Sequence, residues 1–79
     1  MTLLNKKATT NTGEDVTIIA STTFSNIDYL ESFDKTGCIE EMKENQEEYG
    51  LENEDIIIAV RDEDGCKYVL TLSEVSIEN

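Results

Sequence analysis

The apolar run IIIAV, which begins at Ile56, limits the possible folds of this chain more than any other stretch of its sequence. Successive side chains of a strand point to opposite faces, so Ile56, Ile58 and Val60 would share one face of a sheet. Ile57 and Ala59 would share the other face. Because both sets are apolar, the run is typical of an inner strand that is covered on both sides. We therefore expect helices on one face of the sheet and another part of the chain on the other.

A hairpin is predicted directly after this run. The Asp-Gly pair that ends at Gly65 suits the positive φ angles of a type I′ loop, so the chain should turn there and return beside the run. A second, weaker hairpin is predicted around Gly13, in the first part of the chain. The predicted strands are residues 3–10, 14–22, 55–61 and 66–72, with a short edge strand at Val75 and Ile77.

The strand after Gly13 shows an alternating pattern. Val16, Ile18 and Ala20 are separated by single residues, and the segment is rich in β-branched side chains. This spacing indicates a strand that places these three side chains on one face.

Residues 25–49, between the two hairpins, have the apolar spacing of a helix. Ser25, with Asp28 three residues later, resembles a helix N-cap, and Gly50 stands where a C-cap glycine belongs. Gly37 is expected to end or kink the helix. The chain is thus predicted to be one α+β domain, residues 1–79: a small antiparallel sheet of four to five strands in the order ββ-α(α)-ββ(β), with one long or kinked helical region packed on one face.

The net charge of the chain restricts its partners. Eighteen acidic residues oppose six basic ones, and there is no histidine, so the formal net charge is −12. Direct binding of nucleic acid requires Lys and Arg to neutralise phosphates and is not expected, nor is binding to an anionic membrane. The sequence has no signal-peptide pattern and no apolar run of the ~20 residues that span a membrane. We expect a cytoplasmic protein, in the host cytosol if it is phage-encoded, that binds basic proteins.

The residue types present do not predict an active site. Without histidine, no Ser-His or Cys-His pair can form, and two cysteines cannot build a structural zinc site. The acidic turn before Gly65 does not continue into the twelve-residue loop of a calcium site. We therefore expect neither enzymatic activity nor a metal or other cofactor. Cys38 and Cys66 are expected to be buried, reduced thiols, with a disulfide between them as the alternative.

Acidic residues are concentrated between positions 28 and 55, where eleven acids are accompanied only by Lys35 and Lys43. Helical periodicity predicts that Ile39, Met42 and Tyr49 face the core and that most of the acids face solvent. The carboxylates predicted to contact a partner are Asp34, Glu40, Glu41, Glu44, Glu47, Glu48, Glu52 and Glu54.

This acidic region has two interpretations. It is either a solvated face that keeps a small protein soluble or a surface that binds a basic partner. A merely solvated helix usually mixes charge signs, whereas Glu44 has like charges four residues away on both sides, at Glu40 and Glu48. Carboxylates at this spacing rise by about 6 Å along a helix, which is similar to the distance between successive phosphates of nucleic acid. The candidate apolar anchors beside them are Phe24, Tyr29, Tyr49 and Leu51, with burial in the core as the favoured alternative for each.

The predicted hairpin gives a resemblance to a known class of proteins. Ile57-Ile58-Ala59-Val60, followed by Asp64-Gly65 and Tyr68-Val69-Leu70, resembles the hairpin of a small acidic anti-CRISPR protein. The chain as a whole looks like the small acidic inhibitors and DNA mimics that phages encode. This resemblance implies a stoichiometric blocker of a host nucleic-acid enzyme, such as a nuclease, a restriction complex or a CRISPR effector.

Two other functions are compatible with the same sequence. An immunity protein or antitoxin that neutralises a basic toxin would share the electrostatics and differ in its partner. A small barrel-like structural or assembly module of a phage would be acidic only incidentally. The last of these would self-associate, as a homodimer for example, through the edge at Val75 and Ile77.

Overall fold

The apolar run forms an inner strand of a five-stranded antiparallel sheet, as the sequence predicts. The structure is a computed structural model that describes residues 3–35 and 37–78. Along the sheet the strand order is β4-β3-β2-β1-β5. The strands are β1 Lys7–Thr10, β2 Asp15–Thr23, β3 Ile56–Asp62, β4 Lys67–Thr71 and β5 Val75–Ile77.

Short helices occupy the region where one long or kinked helix was predicted. A 3-10 helix spans Phe24–Phe33, and two α-helices follow, α1 Cys38–Glu44 and α2 Gln46–Tyr49. The 3-10 helix begins one residue before Ser25, and its N-cap, Thr23, makes no side-chain capping bond, so the predicted cap at Ser25 is wrong. The confirmed part of the prediction is therefore the α+β class, with an antiparallel sheet and helices.

The helices pack on one face of the sheet. Ile57, Ala59 and Val69 of the sheet are buried against residues from the helical region and the loop after it. The residues on the helical side of this core are Phe24, Ile27, Leu30, Ile39, Met42 and Leu51. Tyr49 was expected to join them, but it lies 47% exposed, because α2 has no buried residue.

The other face of the sheet is covered because the sheet curls, so that its own strands enclose this face. A flat sheet of five strands would separate its edges by about 19 Å. The edge strands β4 and β5 are nevertheless joined by a single 3-10 turn, Leu72–Glu74, which spans only ~8 Å including its flanking residues. The sheet must therefore curl. It encloses a second core of Ala8, Val16, Ile18, Ile58 and Val60, flanked by apolar side chains of β4, β5 and the turn between them.

A β-bulge in β2 changes the predicted faces of that strand. Ile18 pairs with Val60, but Ala20 pairs with Ala59, so one extra residue, Ile19, lies between the two pairs. The bulge turns Ala20 to the helix side, where it packs against the first core, while Val16 and Ile18 face the second. The prediction that all three share one face is thus wrong for Ala20.

A turn joins β3 and β4 where the sequence predicts one, but it is not of the predicted type I′, because Asp64 does not have the positive φ that this type requires. Gly65 has a φ of 88°, and an oxygen of the Asp62 carboxylate accepts bonds from the backbone N–H groups of Asp64 and Cys66, both at 2.9 Å. Cys66 is exposed in this turn rather than buried, and no disulfide joins it to the half-buried Cys38. None of the helices in the described ranges is long and apolar enough to cross a membrane.

Candidate partner-binding surface

The first helix of the acidic region begins with a local cap. The two oxygens of the Asp34 carboxylate accept bonds from the backbone N–H groups of Cys38 and Ile39, at 2.9 and 3.0 Å. These bonds satisfy two N–H groups that have no partner within α1. Gly37, with a φ of 78°, supplies the left-handed backbone that lets the chain enter the helix there. Asp34 is half-buried, and its carboxylate therefore holds α1 in place.

Glutamates cover the solvent side of α1. Ile39 and Met42 are its buried residues. At about 100° per residue, Glu40, Glu41 and Glu44 fall within one arc of about 100°, centred opposite the buried side. All three are exposed. Glu40 and Glu41 lie in the first turn, where negative charge interacts favourably with the helix dipole.

The acidic surface continues on α2 after a break at Asn45. This residue has φ −114° and ψ 30°, outside the helical range, and both its backbone N–H and its side-chain Nδ2 donate to the carbonyl oxygen of Glu41. Glu47 and Glu48 are exposed on the single turn that follows. The predicted helical spacing therefore holds for Glu40–Glu44 but not for Glu44–Glu48, because that pair spans the break. We call Glu40, Glu41, Glu44, Glu47 and Glu48 the glutamate surface.

Little positive charge from the protein itself compensates the glutamate surface. In the described residues, the ion pair present joins Lys43 of α1 to Asp28 of the 3-10 helix, on the exterior of the protein. It involves none of the five glutamates. Glu41 accepts a bond from the hydroxyl of Tyr49 at 3.1 Å. This bond, together with partial burial and the charges of Glu41 and Glu74, raises the pKa of Tyr49.

The other predicted residues have different environments. Glu52 and Glu54 are exposed in the loop before β3, close in sequence to the glutamate surface. Of the four predicted apolar anchors, two are buried in the helix-side core, Phe24 and Leu51. Tyr29 and Tyr49 remain 71% and 47% exposed and are available to a partner.

A second acidic cluster, not predicted as a unit, lies at the end of the sheet where two hairpin turns meet. The pairing of Val16 with Asp62 brings the turn before β2 beside the turn after β3. A shallow groove of about 380 Å³ results, lined by Gly13, Glu14, Asp15, Asp62, Glu63 and Asp64. The strand register, a long-range property, was the signal that could have revealed this cluster. No group of residues suited to holding a metal ion occurs in ranges 3–35 and 37–78.

Comparison with known proteins does not assign the surface. No protein family model, no curated protein and no solved structure matches the chain significantly. The function of the glutamate surface is therefore inferred from its geometry and charge.

Proposed function

We propose that this protein is a small acidic inhibitor, encoded by a phage, that binds the basic nucleic-acid-binding surface of a host defence enzyme. The observation that carries the proposal is the glutamate surface: five exposed carboxylates on two short helices, none of them in an ion pair with a described basic residue. A partner rich in Lys and Arg would release counterions on binding it, as it does on binding nucleic acid. Tyr29 and Tyr49 would supply apolar contact beside the charges.

The way in which α1 is fixed to the fold supports a binding role. The helix is capped by Asp34 and anchored by Ile39 and Met42, which pack against the sheet. Carboxylates on a fixed backbone lose less conformational freedom on binding than those on a disordered acidic tail. The resemblance of the β3–β4 hairpin to that of a small acidic anti-CRISPR protein favours the same class of function.

The test compares two variants of equal net charge. In the first, the five glutamates of the glutamate surface are changed to Gln. In the control, five acids at the two hairpin turns and directly after β5, Glu14, Asp15, Glu63, Asp64 and Glu78, are changed to Gln or Asn. Partners are captured from host lysate at low salt, eluted with a salt gradient and identified. Each purified partner is then assayed for nucleic-acid binding and cleavage in the presence of either variant.

The proposal predicts that the first variant loses inhibition while the control retains it. Inhibition by the unchanged protein should also weaken as salt is raised, since charged contacts dominate the interface. Equal loss in both variants would mean that only net charge matters. Full inhibition by the first variant, or captured partners that do not bind nucleic acid, would overturn the proposal.

A further inference from the structure

A groove separates the two short α-helices from the end of β4. It has a volume of about 440 Å³, and it lies between α1 and α2 on one side and β4 and the 3-10 turn Leu72–Glu74 on the other. Its floor is closed, because Met42, Val69 and Thr71 are buried. The groove is therefore a crease in the surface, which can receive a side chain but does not lead into the core.

Apolar groups line this groove above its floor. Cys38 of α1 and Leu70 of β4 are half-buried, and Tyr49 of α2 is 47% exposed. Each of them leaves part of its surface uncovered by the protein. A side chain in the groove would cover this apolar surface, and burying apolar surface is favourable. The groove thus suits an occupant with an apolar stem.

Three carboxylates also line the groove, and their charge is not compensated there. Glu41 belongs to α1, Glu48 to α2 and Glu74 to the turn after β4. None of the described residues that line the groove is Lys or Arg. The ion pair found in the described ranges, Lys43–Asp28, involves none of the three. Charge complementarity therefore favours a cationic occupant.

Hydrogen bonds orient two of these carboxylates. The Tyr49 hydroxyl donates to Glu41 Oε1 at 3.1 Å. The Thr71 hydroxyl donates to Glu74 Oε1 at 2.9 Å. Neither bond uses the second oxygen of the carboxylate. The bond to Glu41, partial burial and the charges of Glu41 and Glu74 raise the pKa of Tyr49, so both carboxylates act on this side chain. An aromatic ring and two oriented carboxylates therefore border the same space.

We propose that this groove receives the side chain of one arginine from the basic surface that the glutamate surface binds, and we call it the arginine groove. The stem of the arginine lies against Cys38 and Leu70. Its guanidinium stacks on the ring of Tyr49 and donates to the carboxylates of Glu41 and Glu74. One arginine thus uses both the apolar walls and the charge of the groove.

Arginine fits this groove better than lysine. A guanidinium is planar and weakly hydrated, stacks on aromatic rings, and donates two parallel bonds to a carboxylate. The ammonium of lysine is a strongly hydrated point charge, without a flat surface to stack on Tyr49. Arginine is also among the residues that most often dominate the binding free energy of an interface. A nucleic-acid-binding surface supplies such arginines, because it contacts phosphates.

This inference rests on the proposed function and adds to it the kind of residue that anchors the partner. Glu74 lines the arginine groove but is not part of the glutamate surface, whereas Glu44 belongs to that surface and does not line the groove. Substitutions at these two positions therefore separate the two proposals. A groove that does not bind arginine would leave the inhibitor proposal intact. Captured partners that do not bind nucleic acid would overturn the inhibitor proposal and leave arginine binding by the groove intact.

Titration of the isotope-labelled protein with small probes, followed by NMR at low salt, tests the groove directly. The first probe is N-acetyl-arginine amide, and the second is its citrulline analogue, which has the same shape and no charge. The arginine probe should bind at millimolar concentration and shift the backbone signals of Cys38, Tyr49 and Glu74. The citrulline probe and the lysine analogue should each bind about fivefold more weakly, because the first has no charge and the second cannot stack.

Two single substitutions locate the binding. Glu74→Gln, which keeps an acceptor for the Thr71 hydroxyl, should weaken binding of the arginine probe about fivefold. Glu44→Gln removes the same charge outside the groove and is the matched control, with an expected change of less than about twofold. With a captured partner, inhibition should follow the same order. Equal binding of the arginine and citrulline probes, signal shifts spread over all the acidic residues, or equal weakening by the two substitutions would overturn the proposal.

Discussion

Asp34 shows how one carboxylate among many can have a structural role. It lies in the acidic segment between positions 28 and 55, and it was predicted to contact a partner together with the glutamates. In the structure both of its oxygens accept bonds from backbone N–H groups at the start of α1. Asp34 lies four residues before α1, and the local composition does not show whether a carboxylate at such a position caps the helix or is solvated. We therefore assign Asp34 to the support of the glutamate surface.

Removing this cap should destabilise the protein. Asp34→Ala is expected to lower the free energy of unfolding by about 1 kcal/mol, since a lost capping side chain typically costs that amount. Asp34→Asn, which keeps one acceptor oxygen, should cost less. Urea denaturation measures both. Glu31→Ala, a nearby exposed acid, serves as the control, and equal midpoints for the Asp34 and Glu31 variants would contradict the assignment.

Tyr68 should lose its phenolic proton only at an unusually high pH. Burial, followed by the nearby charge of Glu14 and the bond from the Tyr68 hydroxyl to Glu14 Oε2 at 3.3 Å, raises the pKa of Tyr68 to about 12. The folded state thus holds this proton more tightly than the unfolded state. Its contribution to stability is complete below pH 10 and is lost as pH rises toward 12.

Phenolate absorbance during an alkaline titration measures this pKa. Comparison with Tyr68→Phe assigns the signal to Tyr68. Glu14→Gln should shift the midpoint downward, but not back to the ordinary tyrosine pKa of 10.0, because burial is the larger cause. A midpoint that Glu14→Gln leaves unchanged would show that the carboxylate has no influence on this tyrosine.

The helical elements show where a periodic pattern stops being informative. The pattern from Cys38 onward predicted one helix up to Tyr49, and the structure interrupts it at Asn45. Asn is only a moderately poor helix former, so propensity alone does not predict a break there. The Asn45 side chain donates to the Glu41 carbonyl, which also accepts the Asn45 backbone N–H, so the side chain adds a bond at the break without displacing the backbone one. By contrast, Gly50 was predicted as a C-cap and is one, with a φ of 66°.

Substitution of Gly50 measures how much this C-cap contributes to the free energy of unfolding. A Cβ atom added there would contact nothing within 4 Å, so any cost of substitution comes from the backbone conformation. Gly50→Ala should lower the free energy of unfolding by about 1–2 kcal/mol, because L-residues disfavour positive φ. Gly50→Asn should cost less, since Asn tolerates this region. Thermal denaturation of both variants tests the order, and equal stability of Gly50→Ala and the unmodified protein would exclude the left-handed cap.

At the scale of the molecule, the sequence predicted those features that depend on residues close to each other in the chain. Ile56 to Val60 predicted an inner strand with two covered faces, and Gly65 predicted the turn after it. The curl that covers the second face was not predictable in this way, because it depends on Leu72–Glu74 joining the two edges of the sheet. The bulge at Ile19 likewise appears only in the pairing of β2 with β3.

In the candidate site, too, features set by residues close in sequence were predictable, and those set by distant segments were not. Periodicity predicted that the five glutamates of α1 and α2 would be exposed, and they are. The cluster of Glu14 and Asp15 with residues 62–64 depends on strand register between distant segments, so a reading along the chain does not show it.

The charge of the whole molecule gives the last prediction. With a net charge of −12, the folded chain brings carboxylates closer together than the unfolded chain does, and this repulsion lowers stability. The described ion pair, Lys43–Asp28, is exposed and contributes little. Added salt screens far more repulsion than attraction, so the free energy of unfolding should rise with NaCl concentration, by an amount on the order of 1 kcal/mol.

Urea denaturation at several NaCl concentrations measures this dependence, at a protein concentration low enough that association does not contribute. KCl serves as a control for specific ion effects. The variant with Gln at all five positions of the glutamate surface should gain less from salt than the unmodified protein, because it has fewer repulsions to screen. A stability that falls with salt would mean that attractive pairs outweigh repulsion in the folded state, and would remove the argument that the glutamate surface lacks compensating charge.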